Sequence, residues 1–513
     1  MHPQAAATPD QHDWSANAPS VWFSDTALLL YVALATVMIH LVLGNRYGIH
    51  RDELATLEDA RHLAWGYPAY PPVTPFFGRI SLELFGTSVR GFRFFAGVAQ
   101  AIAVVLTGLM ARDMGGRRGA QLVAAFAAVP FCLGGGYEMQ YVAFDCLAWV
   151  AAAYCVVRLL VSEDPCWWLG VGASIGFGML SKYTIGFFTL GVVAGVLLTD
   201  ARRYLKSKWL WMGVAVSLVV WLPNLLWQVQ HNFVSLDFLK HIHARDVRNG
   251  RTTYFLPEQL KLTGLRFPLA MAGLYFCLSR AGRRFRMIGW MYIITLLLFV
   301  VAKGRWYYMG PAYAMLYAAG AVWGERRLAT MSRSWAMTVR WAAWAVLVFE
   351  VAFTIAFWLP AAPLNSRWWA ITNQVQGDFR EQIGWRELVE EVAKIRDSLS
   401  PEERAHLGII GANYGEAGAV NLYGPDYGLP RAISGVNSFW YRGYGDPPSQ
   451  TLIVVGLSRE FVEEHFASCR LAGHTWNRYG ISNEETEDHP DIFVCGPPKA
   501  GWPAFWSDFR YYG

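Results

Sequence analysis

Apolar stretches long enough to cross a membrane recur along most of this sequence, and no other feature restricts the fold as strongly. A helix that spans the hydrocarbon layer needs about 20 apolar residues at ~1.5 Å of rise each. Such stretches run over Ala27–Leu43, Phe92–Ala111, Ala120–Leu133, Ala143–Val161, Trp167–Leu180, Thr184–Leu198, Trp209–Trp227, Leu260–Leu278, Met287–Ala302, Tyr307–Trp323 and Trp335–Leu359. The length rule gives about eleven spans. The two stretches around Ser181-Lys182 are together too long for one span and break at a charge, so a hairpin is expected there. Only 16% of residues are charged, against roughly a quarter in soluble domains. The expected fold is a polytopic α-helical membrane protein.

Basic residues gather in four short loops: Arg112, Arg117 and Arg118; Arg202, Arg203, Lys206 and Lys208; Arg280, Arg283, Arg284 and Arg286; Arg326, Arg327 and Arg333. With about eleven spans all four fall on one side, which the positive-inside rule makes cytoplasmic. Arg46 and Arg51, after the first span, run against the rule, as does the N-terminal tail without Lys or Arg. The four later loops agree with one another and decide the orientation. The expected organisation is a cytoplasmic tail (1–26), a transmembrane catalytic unit (27–360) with an external loop at 45–91, and a soluble extracytoplasmic domain (361–513). The tail lacks a basic n-region, so no cleavable leader is expected and the first span stays in the membrane. The localisation that follows is the plasma (inner) membrane, multi-pass, with the last domain outside.

That last domain has ordinary soluble composition. Arg386–Leu399 carries a helical apolar period, and Leu407–Ile410 and Leu452–Val455 read as buried strands of an α/β unit. Five cysteines (Cys132, Cys146, Cys155, Cys166 and Cys277) lie in or beside apolar text and read as small buried hydrophobes. Whether Cys469 and Cys495 pair is left open, and no ligand spacing for a structural zinc occurs.

The external loop is rich in chemistry: His50-Arg51-Asp52-Glu53, Glu58-Asp59, Arg61-His62, then the proline- and tyrosine-rich Tyr67–Pro75, with Tyr70 in it. Most of these residues could equally be a solvated surface. Asp52 stands out because it follows the first span closely and adjoins a second acid, an arrangement that suits a base. Asp145 stands alone in apolar text at the external start of a span; it is either a helix N-cap or an embedded functional acid. Lys182 either snorkels from a helix end or holds a lipid phosphate. Lys303 and Arg305 lie on the same side and could act likewise, with Arg93 a weaker candidate. His231, Asp237, His241 and His243 match no metal-ligand spacing, and the aromatics among them suit sugar stacking or membrane anchoring equally.

Five blocks carry a resemblance: HRDELATLEDARHLAWGYPAYPPVTPFFGRISLELFGTSVRGFRFFAG, MQYVAFDCLAWVAAAY, SIGFGMLSKYTIGF, KGRWYYMGPAYAML and NYGEAGAVNLYGPDYGLPRAISGVNSFW. In these the chain resembles bacterial members of glycosyltransferase family 39, the protein-mannosyltransferase-like and aminoarabinose-transferase-like enzymes of GT-C fold. The resemblance implies inverting transfer of a sugar from a polyprenyl-phosphate donor on the external membrane face. It places a catalytic acid in the Asp52-Glu53 pair and another at Asp145, and it matches Lys182 to a recurring lysine. His50, Tyr70, Tyr183 and Tyr308 are the expected substrate contacts. Some relatives bind a metal through a Glu and a His; His231 could be that His, but the stretch YPAYPP lacks the acid, so no cofactor is required and a divalent metal stays an alternative. The partners implied are the lipid-linked donor, a lipid, glycan or protein acceptor and membrane lipids, with no nucleic acid. The mechanism expected has Asp52 deprotonate an acceptor hydroxyl while Lys182, with Lys303 or Arg305, holds the phosphate and Asp145 stabilises an oxocarbenium-like transition state. A lipid or sugar-lipid flippase is the rival reading; it would show paired repeats with broken helices, and none is visible.

Overall fold

A computed structural model of the protein describes residues 21–513; most of the expected 1–26 tail lies outside the described residues. The membrane part begins with α1 (Asp25–Leu43), followed by α2 (Arg51–Arg61), α3 (Val73–Phe85) and the short α4 (Val89–Phe92). Then come α5 (Phe94–Asp113), α6 (Arg118–Gly136), α7 (Tyr141–Ser162), α8 (Trp167–Met179), α9 (Ile185–Leu197) and α10 (Lys208–Gln230). After α11 (Val234–Arg248) and α12 (Phe255–Thr263) follow α13 (Phe267–Leu278), α14 (Arg286–Val301), α15 (Tyr313–Leu328) and α16 (Arg333–Phe357).

Each of the eleven expected apolar stretches falls on a helix. Among the described residues seven helices are long and apolar enough to cross a membrane, or eight counting one bent pair. The apolar runs behind α8, α9, α13 and α15 do form helices, but shorter ones. The α8–α9 run breaks at the Ser181-Lys182 hairpin, and 3-10 turns at Gly264–Arg266 and Trp306–Ala312 clip α13 and α15 at their starts. The middle of the bundle holds α5, α6, α7 and most of α15, whereas α10 and α16 are peripheral, with most of their apolar side chains turned outward. Glycines permit the closest crossings. A Cβ on Gly273 of α13 would stand 2.0 Å from the Leu316 carbonyl oxygen of α15, and one on Gly172 of α8 would stand 1.9 Å from that of Gly213 in α10. Small residues give membrane helices this backbone proximity.

The two ends of the bundle differ. One end ties together Arg118 and Asp25, Arg158 and Asp113, Arg203 and Glu163, and Arg284 and Glu163. The other receives α2–α4, the α6–α7 and α8–α9 connections, α11, α12 and everything after α16.

The C-terminal part contains α17 (Arg367–Val375), α18 (Trp385–Ser398), α19 (Pro401–Ala405) and α20 (Tyr414–Tyr423) with a five-stranded sheet. Its strands are β1 (Leu407–Gly411), β2 (Ala432–Ile433), β3 (Thr451–Val455), β4 (Arg470–His474) and β5 (Asp491–Cys495), in the order β2-β1-β3-β5-β4. The first three are parallel; β5 runs antiparallel to both β3 and β4. Cys469 and Cys495 form a disulfide, and the other five cysteines are free. Packing runs straight across the boundary expected at residue 361. Ile49, Leu54 and Leu57 of the first loop share one apolar core with Trp385, Leu388, Ala417, Val420 and Ile453. Gly418 makes this possible, since a Cβ there would lie 2.8 Å from that of Leu54.

Candidate active site

The site grows from the first turn of α2. His50 is its N-cap: Nδ1 accepts the Asp52 amide at 3.1 Å, while Glu53 reaches back to the His50 amide at 2.9 Å. This capping box fixes where the next two acids point. Glu53 turns inward, fully buried, and Arg93 pairs with both its oxygens, Nε donating at 2.8 Å. The Met139 amide also donates to it at 2.8 Å. Its lone pairs are committed, so Glu53 is a structural anchor rather than a base. Arg93, expected among the phosphate ligands, is corrected by the same geometry: besides Glu53 it holds the carbonyls of Gly44 at 2.7 Å and Gly48 at 3.0 Å, and it is 3% exposed. Four of its five N–H donors are thus committed inside the fold.

Asp52 turns the other way and is half-buried. Its Oδ1 accepts the Tyr414 hydroxyl at 2.9 Å, and its Oδ2 accepts Gln140 Nε2 at 3.4 Å. Further along α2, Glu58 pairs with Arg61 and Arg431, and Asp59 pairs with Arg442 while accepting Tyr70 Oη at 2.7 Å and Ser438 Oγ at 3.0 Å. Burial pushes Asp59 up to about 6 despite the Arg442 charge. Of the four acids of α2, Asp52 alone makes no ion pair among the described residues. Tyr70, expected to touch substrate, instead stands buried behind Asp59.

A second cluster surrounds Lys182 in the α8–α9 hairpin. Its ammonium lies 4.1 Å from the Tyr308 ring centroid, 4.8 Å from Tyr141 and 5.1 Å from Tyr307. Three aromatic faces attract a cation without neutralising it. Arg305 stands beside the cage, held by Asp246 at 2.6 and 2.9 Å and by the Tyr307 hydroxyl at 3.4 Å. Tyr141 connects the two clusters along the chain: its ring faces Lys182, and the residue before it, Gln140, reaches Asp52. Asp145 is not an N-cap. Gln140 caps α7, and Asp145 lies one turn inside, buried, accepting Trp149 Nε1 at 3.0 Å and Thr184 Oγ1 at 3.1 Å. Those bonds fasten α7 to the Lys182 hairpin.

Other expected residues stand apart. Lys303 is exposed on a cavity of about 610 Å³ with His243 and Arg248. Tyr183 is tied into Asn224 at 2.9 Å and Gln228 at 3.0 Å. His231 stacks on Trp227 at 3.9 Å and bonds its carbonyl at 2.8 Å. It meets no second donor, and among the described residues no three His, Cys, Asp or Glu side chains converge as metal ligands. Sequence reading passed over Glu138, Gln140, Tyr141 and Tyr414. The available signal was the break YEMQY between two spans, on the same side as Asp52.

The family model described as dolichyl-phosphate-mannose-protein mannosyltransferase matches residues 69–227. Lipid A galacturonosyltransferase RgtD of Rhizobium johnstonii is 28% identical over 167 residues, which are 30% of this chain and 34% of the relative. The chain thus matches about a third of that protein's length. ArnT from Cupriavidus metallidurans, solved bound to undecaprenyl phosphate, has a TM-score of 0.56 at 15% identity, over 91% of this chain and 97% of ArnT. The oligosaccharyltransferase AglB from Archaeoglobus fulgidus, in complex with an inhibitory peptide and a dolichol-phosphate, gives 0.51 at 12% identity, over 84% and 69%. The fold is the GT-C fold, and these relatives support the family 39 resemblance of the motifs.

Proposed function

We propose that this chain, a membrane glycosyltransferase of GT-C fold, moves a sugar from a polyprenyl-phosphate donor to a hydroxyl of a cell-envelope acceptor, with Asp52 as the base. The observation that carries this reading is the selective freedom of Asp52: among the described residues its half-buried carboxylate makes no ion pair, while Glu53, Glu58 and Asp59 are all paired. A carboxylate so placed can accept a proton. Lys182 and Arg305, at the same end of the bundle, supply the positive charge that a departing phosphate needs. That ArnT and AglB were solved with lipid phosphates supports this choice of donor.

In the reaction the acceptor oxygen gives its proton to Asp52 and forms a bond to the anomeric carbon. The bond from that carbon to the phosphate oxygen breaks, and its electron pair leaves on the polyprenyl phosphate, held by Lys182 and Arg305. Displacement is direct, so the configuration inverts. Asp145 acts by holding the hairpin that carries Lys182. The acceptor class is a lipid, glycan or protein of the envelope, the site lies on the external face of the plasma membrane, and the basic end of the bundle faces the cytoplasm. The test is transfer by purified protein from a panel of radiolabelled polyprenyl-phosphate sugars, wild type beside Asp52→Asn. Transfer from one donor that vanishes in the variant is expected; transfer that survives Asp52→Asn, or no transfer from any donor, overturns the reading.

A further inference from the structure

The four residues between α6 and α7 carry an acid that the mechanism above does not use. Glu138 is 7% exposed and sits where the chain leaves one span and enters the next. Its Oε2 accepts Gln140 Nε2 at 2.8 Å, and its Oε1 accepts Gln382 Nε2 at 3.2 Å. The same Gln140 nitrogen reaches Asp52 Oδ2 at 3.4 Å. A side-chain amide nitrogen has two hydrogens. Here one faces each carboxylate, so Glu138 fixes the rotation of the amide that touches Asp52. Gln140 is also the N-cap of α7, which anchors its backbone at the end of that helix.

We propose that Glu138 is a positioning residue for transfer: through the Gln140 amide it sets the direction of the Asp52 carboxylate, leaving Oδ1 and the Tyr414 hydroxyl on the side where the acceptor enters. This rests on the reading of Asp52 as the base. Burial pushes the Glu138 carboxyl up to about 7, with His50 and Arg93 acting against that shift and Glu53 with it. Both of its protonation states offer an oxygen to Gln140, so the orienting bond survives across neutral pH. The link to Gln382, beyond the last span, ties the same chain of amides to the C-terminal part.

The test compares Glu138→Ala, Gln140→Ala, the double variant and Glu138→Gln. One lost orienting hydrogen bond is expected to lower kcat about three- to ten-fold in each alanine variant. Donor KM stays within about two-fold, because the interaction acts on the transition state rather than on ground-state binding. The double variant should lose no more than Gln140→Ala alone, since both act through one contact. Glu138→Gln keeps an acceptor facing Gln140 and should restore most of kcat. Losses that add in the double variant, or a Glu138→Gln no better than the alanine, overturn the proposal.

A second measurement needs no turnover. The infrared carboxylate band of Asp52, assigned by its loss in Asp52→Asn, should shift in both alanine variants and no further in the double. An Asp52 band unmoved by Glu138→Ala overturns the proposal even if the wild type transfers nothing, an outcome that would separately sink the assigned reaction.

Discussion

Replacing Arg93 by methionine separates two roles for this residue. As a phosphate ligand it would be dispensable for folding and costly for donor affinity. As the partner of Glu53 it is the reverse. Glu53 is fully buried, and without the guanidinium it keeps only the amides of His50 and Met139, at 2.9 and 2.8 Å. Arg93 also satisfies the carbonyls of Gly44 and Gly48, so the turn between α1 and α2 loses its cross-links too. Removing one member of a buried ion pair costs about 3–5 kcal/mol, because the remaining charge is stranded. That is roughly two to four powers of ten in the unfolding equilibrium at about 1.4 kcal/mol per decade. Unfolding by titration with sodium dodecyl sulfate in mixed micelles, followed by tryptophan fluorescence, measures the loss. The double variant Glu53→Gln/Arg93→Met removes the stranded charge and should regain most of it. An Arg93→Met protein as stable as the wild type, with donor KM raised ten-fold or more, would refute the assignment and restore Arg93 to the phosphate site.

Glu485 is buried with neither carboxylate oxygen hydrogen-bonded, and burial pushes it from the ordinary 4.5 to about 7. The folded chain therefore keeps a proton that the unfolded chain gives up, and stability falls as pH rises from 4.5 to about 7. Glu485→Gln should remove that fall, a gain on the order of a few kcal/mol at pH ~8; parallel pH dependences of unfolding free energy in the two proteins would contradict it. Lys182→Met should weaken binding of undecaprenyl phosphate by about 1.5–3 kcal/mol, the range of a charge-assisted contact, and calorimetric titration showing unchanged affinity would remove Lys182 from the phosphate site. Gly418→Leu places a side chain against Leu54 and should cost about 1–3 kcal/mol of overpacking. It should also lower kcat by pulling Tyr414 from Asp52 with donor affinity retained, and unaltered transfer would show that α20 does not set that contact.

Local features were legible in the sequence. Apolar length located the helices, the charge at Lys182 located the hairpin, and alternation with turn residues located β1 and β3. Asp52 was legible because it follows α1 closely and adjoins a second acid. What it could not show was which acid of the pair is free, because that depends on Arg93, 40 residues away from Glu53. Asp145 reads as a cap only while the start of α7 is uncertain; the helix begins four residues earlier, at Tyr141, behind Gln140. Tyr414 lies 362 residues from Asp52 and Gln140 lies 88 from it, and no local pattern encodes such pairings. Apolar length also cannot register a 3-10 turn at a helix start, as before α13 and α15.

The core shared by α2 and the C-terminal part bears on how the protein is made. The α2 helix is made well before its seat against Trp385, Ala417 and Val420, and Arg61 waits for a carbonyl 360 residues downstream. Until that part has folded, the helix bearing Asp52 is held from one side only, by the bonds of Glu53 to Arg93 and the Met139 amide. Seating α2 therefore takes both parts of the chain, and a cut between α16 and α17 that let them separate should loosen the helix that bears Asp52.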